Sequence, residues 1–414
     1  MKNAILLIIC SFSLLLITGC WDKVDIETRG YVLGVAIDTY PPTPEGGERG
    51  KQEGEVEEEA GLIQMQLHTG KPAYAMTIQL PIIKKAEIIA GKPGGGGGGG
   101  GGGEFSRSWE VTQVGNSMIE MNREMASRLN VTPYYRHLQL IVISEDVARK
   151  GLNNVLAFFD RDHEMRKRTK LFICPGEAKK VLDVNPRIED FSSIYLSKIS
   201  MNAKFNSRIP HEIDLGEALM RMHLGMDFIL PKAVATKDEI KKSAAAVFKG
   251  DKMVGWIDDL EMESVKLIRN NYLGGVVTAE DPYSDNRITA LEVSRAKTKI
   301  TSEIQDGLPH FMVRIDIDGN LTESLETQQH ETNEKEFLEK LERAFEQSIK
   351  KQCENSIKRI QKDYKADIFG FNEYLRAKKP EYWDKAKENW DEIFPDTETE
   401  INVNVKIRQT SNIR

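Results

Sequence analysis

Cysteine is scarce in this chain. The 414 residues contain four, Cys10, Cys20, Cys174 and Cys353, and only the last two lie beyond the N-terminal segment. A disulfide framework needs several cysteines at regular spacing, and a metal site needs ligands that cluster. We therefore expect neither, and we predict that Cys174 and Cys353 are buried free thiols.

Motifs for catalysis and cofactor binding are also missing. The seven histidines are scattered without an HExxH pattern, and no GxSxG elbow or Walker A sequence occurs. Asp316, Asp318 and Asn320 resemble the start of a calcium loop, but the required glycine and the bidentate glutamate do not follow. A tight turn at Asp318-Gly319 explains them better. The sequence predicts no catalytic residue, no metal and no cofactor.

Neither sign of charge dominates the composition. Lys and Arg number 57 against 64 Asp and Glu, which gives a formal charge of −7. A mildly acidic protein of this kind is a poor candidate for binding nucleic acid or for wrapping an anionic bilayer surface. The densest charged run, Asp160–Arg168, places carboxylates beside His163. Alternating charges of this kind favour a solvated interaction surface, or an internal Arg–Asp pairing that fixes the following strand, over acid–base catalysis.

The N-terminus has the pattern of an export signal. Lys2 precedes an apolar run at residues 4–17, which is shorter than the roughly 20 residues that span a bilayer. The run ends in Ile17-Thr-Gly-Cys20, which looks like the lipobox of bacterial lipoproteins. We expect residues 1–19 to be removed and Cys20 to carry lipid, and no later segment is apolar enough to cross the membrane. The alternative is an uncleaved signal anchor with an incidental cysteine.

Two segments interrupt the N-terminal half. Residues 41–61 are rich in Pro, Gly and Glu, and ten consecutive glycines occupy 94–103. Such segments bury too little apolar surface to order themselves, so we predict disordered loops at about 41–61 and 91–105. The flanking patterns predict buried strands at Tyr31–Asp38, Met76–Leu80, His137–Ile143 and Lys170–Cys174. We predict helices at 109–129 and 153–159.

The C-terminal third has the clearest periodicity. Strands are predicted at 288–293, 299–304, 311–317 and 321–326, and residues 401–407 alternate apolar with polar side chains. Apolar residues from Phe337 to Ile360 recur every three or four positions, which is typical of one long amphipathic helix. We predict an antiparallel sheet packed against this helix, and an α+β protein as a whole.

Together these segments resemble the Ger(x)C family, the C subunits of nutrient germinant receptors in spore-forming bacteria. The resemblance covers nearly the whole chain, and the residues that carry it are Gly19–Asp22, Leu33–Asp38, Tyr135–His137, Ser144-Glu145, Val155–Arg166, Ala245–Phe248, Val254-Gly255, Asp367–Phe371, Trp390 and Phe394. The poly-Gly run and the insert at 41–61 depart from the family pattern, and both fall in predicted loops.

The resemblance implies three mixed α/β domains, which we place at 20–195, 196–285 and 286–414. It implies a non-enzymatic subunit anchored through Cys20 on the extracytoplasmic face of the membrane. It also implies two partners, a multispanning A subunit and a transporter-like B subunit. The alternative is a solute-binding lipoprotein that delivers a small ligand to a transporter, which would need a deep pocket with converging polar groups.

Overall fold

The computed structural model describes residues 28–41, 73–82, 107–283, 287–323 and 334–410. The predicted signal at 1–19, the lipid acceptor Cys20, the loop at 91–105 and, apart from Pro41, the loop at 41–61 lie outside these residues. No helix within the described ranges is both long and apolar enough to cross a membrane.

The strands and helices alternate along most of the described chain. The strands are β1 (Arg29–Tyr31), β2 (Gly34–Thr39), β3 (Tyr74–Pro81), β4 (Ser108–Gly115), β5 (Thr132–Tyr134), β6 (Leu140–Ser144), β7 (Lys170–Cys174), β8 (Phe228–Ala235), β9 (Ile240–Lys249), β10 (Lys252–Ile257), β11 (Gly275–Glu280), β12 (Ile288–Gln305), β13 (Leu308–Glu323) and β14 (Glu398–Thr410). The helices are α1 (Met118–Met125), α2 (Glu145–Lys150), α3 (Asn153–Arg161), α4 (Lys179–Leu182), α5 (Ser192–Ile199), α6 (Leu215–His223), α7 (Asp259–Ile268), α8 (Glu334–Asp363), α9 (Phe371–Lys378), α10 (Pro380–Ala386) and α11 (Trp390–Ile393).

Two large sheets organise the described residues. The first has eight strands in the order β10-β9-β8-β7-β6-β2-β3-β4, and its central strands β2, β6 and β7 are parallel. The second has the order β11-β12-β13-β14. A short parallel pair, β1 with β5, lies beside the first sheet. Helices and sheets thus occur together, which confirms the predicted α+β class.

The central strands of the first sheet are covered on both faces. Their residues alternate between two apolar clusters: Ile141 and Ile143 join one that includes α1, α3 and α6, while Leu140 and Val142 join another that includes α4 and α5. Burial on both faces explains why these strands appear in the sequence as nearly continuous apolar runs.

The second sheet packs against α8, as the periodicity predicted. Every apolar residue of the predicted stripe is buried, and Leu341, Phe345, Cys353 and Ile360 are fully buried. Strands β11, β12 and β13 are antiparallel, which confirms that part of the prediction. The last strand, β14, instead runs parallel to β13, because the chain crosses back through α8 before it rejoins the sheet. Antiparallel pairing therefore does not extend to this edge.

The predicted turn at Asp318-Gly319 is wrong. Both residues lie within the continuous strand β13, and the strands predicted at 288–293 and 299–304 are likewise one strand, β12. The pairing of the two strands shifts register near Val293 and Arg295. Gly319 lies there because a Cβ atom would stand 2.7 Å from the Glu292 carbonyl oxygen. Gly319 thus marks a close strand approach rather than a chain reversal.

The helix predicted at 109–129 is also partly wrong. Val111 and Val114 belong to strand β4, and the helix begins only at Met118. The three-residue spacing of the two valines coincided with the helical period, although the valines themselves and Thr112 between them are β-branched and favour a strand. The three methionines of the predicted stripe do lie on the buried face of α1, in contact with the core.

The domain boundaries at 195 and 285 stay a prediction. The strands between them, β8 to β10, continue the first sheet, which they join through the pairing of Ile173 with Lys232. Helix α7 contributes Met262, Val265 and Ile268 to the core of the second sheet. The middle segment therefore connects the two sheets.

Shortening a side chain at the centre of the α8 stripe should destabilise the fold. Phe345 is fully buried in the core of the second sheet, and replacing such a phenylalanine by alanine costs about 3–5 kcal/mol through lost burial and a residual cavity. We expect Phe345→Ala to lower the free energy of unfolding by this amount in chemical denaturation. Lys358→Ala, an exposed position of the same helix, is the control and should change stability by less than about 0.5 kcal/mol. Equal stability of the two variants would contradict the assigned packing.

Candidate functional site at the junction of the sheets

A buried carboxylate organises the junction between the two sheets. Asp367, which follows α8, is almost completely buried. Its carboxylate accepts backbone N–H bonds from Gly370, Phe371 and Asn372 at 3.0, 3.2 and 2.6 Å, and the Trp390 indole donates at 3.2 Å. These backbone donors belong to the start of α9 and have no partner within the helix. Asp367 therefore fixes α9 and α11 relative to the end of α8.

Gly370 is required by the same geometry. Its φ of +83° lies in the left-handed region, and a Cβ atom there would stand 2.9 Å from the Arg269 guanidinium. A residue with a side chain would be strained and would also displace Arg269. This accounts physically for the glycine in the family-like stretch Asp367–Phe371.

A second buried carboxylate connects this segment to the first sheet. Asp227, which precedes β8, accepts the backbone N–H of Asp367 at 2.7 Å. Burial raises the pKa of Asp227 to about 7; the hydrogen bond from Asp367 opposes this shift, and the negative charge of the Asp367 carboxylate adds to it. Burial also raises the pKa of Asp367, against the effect of its backbone donors. The junction thus contains two carboxyl groups held close together in a water-poor setting.

Alternating charges continue the junction on one side. Glu373 on α9 binds Arg269 at 2.8 Å and Arg221 on α6 at 3.4 Å, and Arg221 also binds Glu217 at 2.9 Å. Burial would raise the pKa of Glu373, but the two guanidinium groups hold it below its usual value. The network ties α6 of the N-terminal half to α9 of the C-terminal half.

An open cleft of about 690 Å³ borders this network. Its walls combine two indoles with acidic and basic side chains, and the lining includes Asp227, Asn372, Glu373, Arg376, Trp383, Lys387, Trp390 and Asp391. A smaller cavity of about 260 Å³ lies on the other side of Asp227, beside Arg221, Lys266 and Arg269. Converging polar groups next to aromatic faces are the usual makeup of a small-molecule site. No group of three or more metal-ligating side chains lies together among the residues the structure describes.

Asp38, from another family-like stretch, and the two buried cysteines lie away from this junction. Asp38, at the end of β2, accepts the backbone N–H groups of Ala178 and Lys179 at 2.6 and 3.0 Å and so positions α4. Burial raises its pKa to about 7. Cys174 is a buried free thiol, as predicted, and burial together with the neighbouring Asp38 raises its pKa. Cys353 is likewise free and buried in the α8 stripe.

The charged run Asp160–Arg168 pairs internally, but not in the predicted way. Lys167, rather than an arginine, forms the ion pair with Asp160 and also donates to its backbone carbonyl at 2.8 Å. Asp162 accepts the backbone N–H of Glu164 at 2.8 Å. His163 is almost fully exposed. Its Nδ1 atom lies 4.0 Å from the Asp162 carboxylate.

Several residues of the junction gave no signal in the sequence. Asp227, Arg221 and Glu217 lie in or next to an amphipathic helix, where charged residues normally face solvent. They are brought to Glu373 by the packing of segments about 150 residues apart. Only the Asp367–Phe371 stretch stood out beforehand, through the family resemblance.

The architecture defines this chain as a two-sheet α+β protein whose halves meet at a buried acidic node. Residues 22–234 match the family described as the spore germination protein N-terminal domain, and residues 243–411 match the family described as spore germination B3/GerAC like, C-terminal. The chain therefore belongs to the Ger(x)C family of spore germination proteins.

Individual relatives agree along the whole length. Spore germination protein YndF of Bacillus subtilis (strain 168) is 31% identical over 99% of this chain and 97% of its own length. Spore germination protein B3 of the same organism is 26% identical over 98% of both. A crystal structure of the GerBC protein has the same fold, with a TM-score of 0.56, 24% identity, and coverage of 81% of this chain and 93% of that one.

Neutralising Asp227 should change how stability depends on pH. Its pKa is about 7 in the folded chain against an ordinary 3.8, so the folded state binds more protons between these values and stability falls as pH rises from about 4 to about 7. Asp227→Asn removes this term and keeps an oxygen that accepts the Asp367 N–H. We expect the free energy of unfolding of the variant, relative to that of the wild type, to rise by about 1–2 kcal/mol between pH 5 and pH 7.

Urea unfolding at both pH values measures this difference. Asp38, whose pKa shifts in the same direction, is unchanged in both proteins and cancels. Parallel pH profiles for the two proteins would show that Asp227 titrates normally.

Replacing the Asp367 carboxylate by an amide should weaken the junction. Asparagine offers a single acceptor oxygen, and its amide would face N–H donors that the carboxylate now satisfies. Leaving buried donors unpaired costs about 1–3 kcal/mol each, so we expect Asp367→Asn to lose about 2–4 kcal/mol of stability, with a shift in tryptophan emission as Trp390 loses its acceptor. Asp384→Asn, an exposed position on the same cleft, is the control. An unchanged midpoint for Asp367→Asn would refute the role of this node.

Proposed function

We propose that this chain is the lipid-anchored C subunit of a spore nutrient germinant receptor. The observation that carries the proposal is the match of both germination families in order along the chain, directly after a lipobox that ends at Cys20. The first match begins at residue 22, two residues after the proposed lipid acceptor. The mature protein then stands on the extracytoplasmic face of the spore inner membrane, held by acyl chains.

In this proposal the chain is a scaffold rather than an enzyme. Its relatives are named spore germination proteins, and it assembles with a multispanning A subunit and a transporter-like B subunit that senses the nutrient. The buried junction supports such a role, because Asp227 and Asp367 tie the two halves together. A body of fixed shape that is tethered at one end can hold two membrane partners at a fixed distance and orientation.

Removing the lipid acceptor should release the protein from the membrane. Stable anchoring needs two or more acyl chains, and in this proposal all of them are attached at a single cysteine. We expect Cys20→Ala to leave the protein made but recovered in the soluble fraction, with a nutrient germination response at least about tenfold weaker because its effective concentration at the receptor is lost. Cys10→Ala, in the apolar part of the signal, is the matched control and should behave as the wild type.

Fractionation, together with the loss of optical density after nutrient addition, measures both effects. A Cys20→Ala protein that stays with the membrane would refute the lipid anchor. A soluble Cys20→Ala protein with normal germination would refute the tethered scaffold instead.

The cleft favours a second candidate function, the capture of a small solute for a transporter. Trp383 offers an aromatic face, while Arg376 and Glu388 offer opposite charges suited to a zwitterion such as an amino acid. Thermal-shift screening of the full chain against amino acids and sugars tests this function, since a ligand at 100 times its Kd adds about 2.7 kcal/mol of stability. A shift that Arg376→Ala abolishes would favour capture, whereas no shift with any solute would favour the scaffold.

A further inference from the structure

The parallel strands of the first sheet share one edge. Strands β2, β6 and β7 start side by side, with Gly34 opposite Leu140 and Leu140 opposite Lys170. The residues before them are joined as well: Gln139 donates its backbone N–H to Leu33 at 2.9 Å, and Lys170 donates to Gln139 at 3.0 Å. We call this rim, with the segments that lead into it, the N-terminal edge. The chain reaches the sheet here through β1, which pairs with β5 beside the sheet and directly precedes β2.

Aromatic and basic side chains surround the point where the chain enters. The Arg29 guanidinium lies 4.1 Å from the centre of the Tyr134 ring. Tyr31 packs edge-on against Tyr134 and His137, with ring centroids 5.8 and 5.2 Å away. Tyr31 is half-buried and His137 is exposed. Tyr134 itself is buried, so the cluster presents the His137 ring, part of the Tyr31 ring and part of the Arg29 side chain at the surface.

Further positive charge lies along the same rim. Arg136 follows the Tyr134 cluster and is exposed, and Arg166 and Arg168 lead into β7. The backbone N–H of Lys170, which donates to the Gln139 carbonyl at 3.0 Å, fixes their loop to the rim. Within the described ranges no ion pair joins Arg166 or Arg168 to a carboxylate, whereas many other surface cations of this acidic protein are paired. Glu164 of the same loop offsets part of this charge at Arg136, so the N-terminal edge is basic through Arg29, Arg136, Arg166 and Arg168 taken together.

Two large apolar side chains project from the same region. Trp109 on β4 is 48% exposed and pairs across the sheet with Leu80 of β3. Leu80 lies next to β1, since a Cβ atom on Gly30 would stand 3.5 Å from its side chain. Ile188 is 82% exposed. Its loop is held to the start of β4 by the ion pair between Asp190 and Arg107. Both side chains therefore stand near the point where β1 enters.

The proposed anchor restricts where this edge can lie. Cys20 is eight residues ahead of Thr28, and eight residues span at most about 28 Å even when fully extended. The edge where β1 enters is thus held within that distance of the bilayer surface, which is comparable to the thickness of the hydrocarbon core. Exposed Trp and Tyr rings favour the headgroup region, and arginines favour an anionic surface.

We propose that the N-terminal edge lies against the membrane surface and binds the headgroups of anionic glycerophospholipids, with Trp109 and Ile188 inserted among them. This inference rests on the proposed lipid anchor at Cys20. It fixes the orientation of the molecule: the turn between β8 and β9, at the opposite ends of the parallel strands, points away from the bilayer.

Depth-dependent fluorescence quenching tests the orientation. Full-length acylated protein is reconstituted in vesicles of phosphatidylglycerol that contain brominated lipid, and a fluorophore is attached at Ile188→Cys, at Asn130→Cys or at the control position Asp238→Cys in the β8–β9 turn. Native Cys174 and Cys353 are buried free thiols and should not react. Asn130 lies at the N-terminal edge, two residues before Thr132, which pairs with Arg29 of β1. Asn130 and Asp238 are both exposed, so labelling disturbs neither core.

We expect bromolipid to quench the labels at 188 and 130 about twofold or more beyond the label at 238, since only the former reach the interface. In vesicles of phosphatidylcholine, or in protein that carries Arg136→Glu with Arg168→Glu, quenching at 188 should fall toward that at 238.

Equal quenching at all three positions in vesicle-bound protein would overturn the orientation while leaving the lipid anchor intact. Headgroup binding would be overturned if quenching at 188 stayed stronger than at 238 but changed neither with lipid charge nor in the arginine variants. Protein that fails to bind vesicles at all would refute the anchor itself.

Discussion

The burial of one carboxylate underlies the relation between the two halves of this protein. Asp367 accepts four hydrogen bonds from the segment after α8, and its own backbone N–H binds Asp227 ahead of β8. A buried charge is costly unless its acceptors are satisfied. Because these donors come from α9 and α11, that requirement is met only when the C-terminal helices are docked. The ion pairs of Glu373 with Arg221 and Arg269 then extend the contact to α6 and α7.

Periodicity in the sequence predicted the local structure wherever one face of an element is buried. The stripe from Phe337 to Ile360 and the alternation in β14 were both correctly interpreted, because burial dictates every third or second side chain there. The errors arose where geometry overrode the pattern. Gly319 signals a close strand approach as readily as a turn, and the spacing of Val111 and Val114 matches the helical period although both lie in a strand. The parallel pairing of β14 depends on a crossover of some 75 residues, which no local pattern reveals.

The candidate site was harder to predict from the sequence than the strands and helices were. The family resemblance pointed to Asp367–Phe371, but the partner carboxylate Asp227 and the guanidinium of Arg221 are ordinary polar residues until the fold brings them together. Their importance comes from desolvation, which is a tertiary property. The same holds for the basic N-terminal edge, where arginines from three separate segments of an overall acidic chain share one rim. Sequence patterns identify elements, while electrostatic function depends on which elements meet.

We propose that acyl chains on Cys20 hold this two-sheet body against the outer face of a membrane. Mass spectrometry of the N-terminal peptide, taken from protein extracted from spore membranes, tests it most directly. The account predicts a peptide that begins at Cys20 and carries a diacylglyceryl group on its sulfur. A peptide that still contains residues 1–19, or one with an unmodified Cys20, would contradict it.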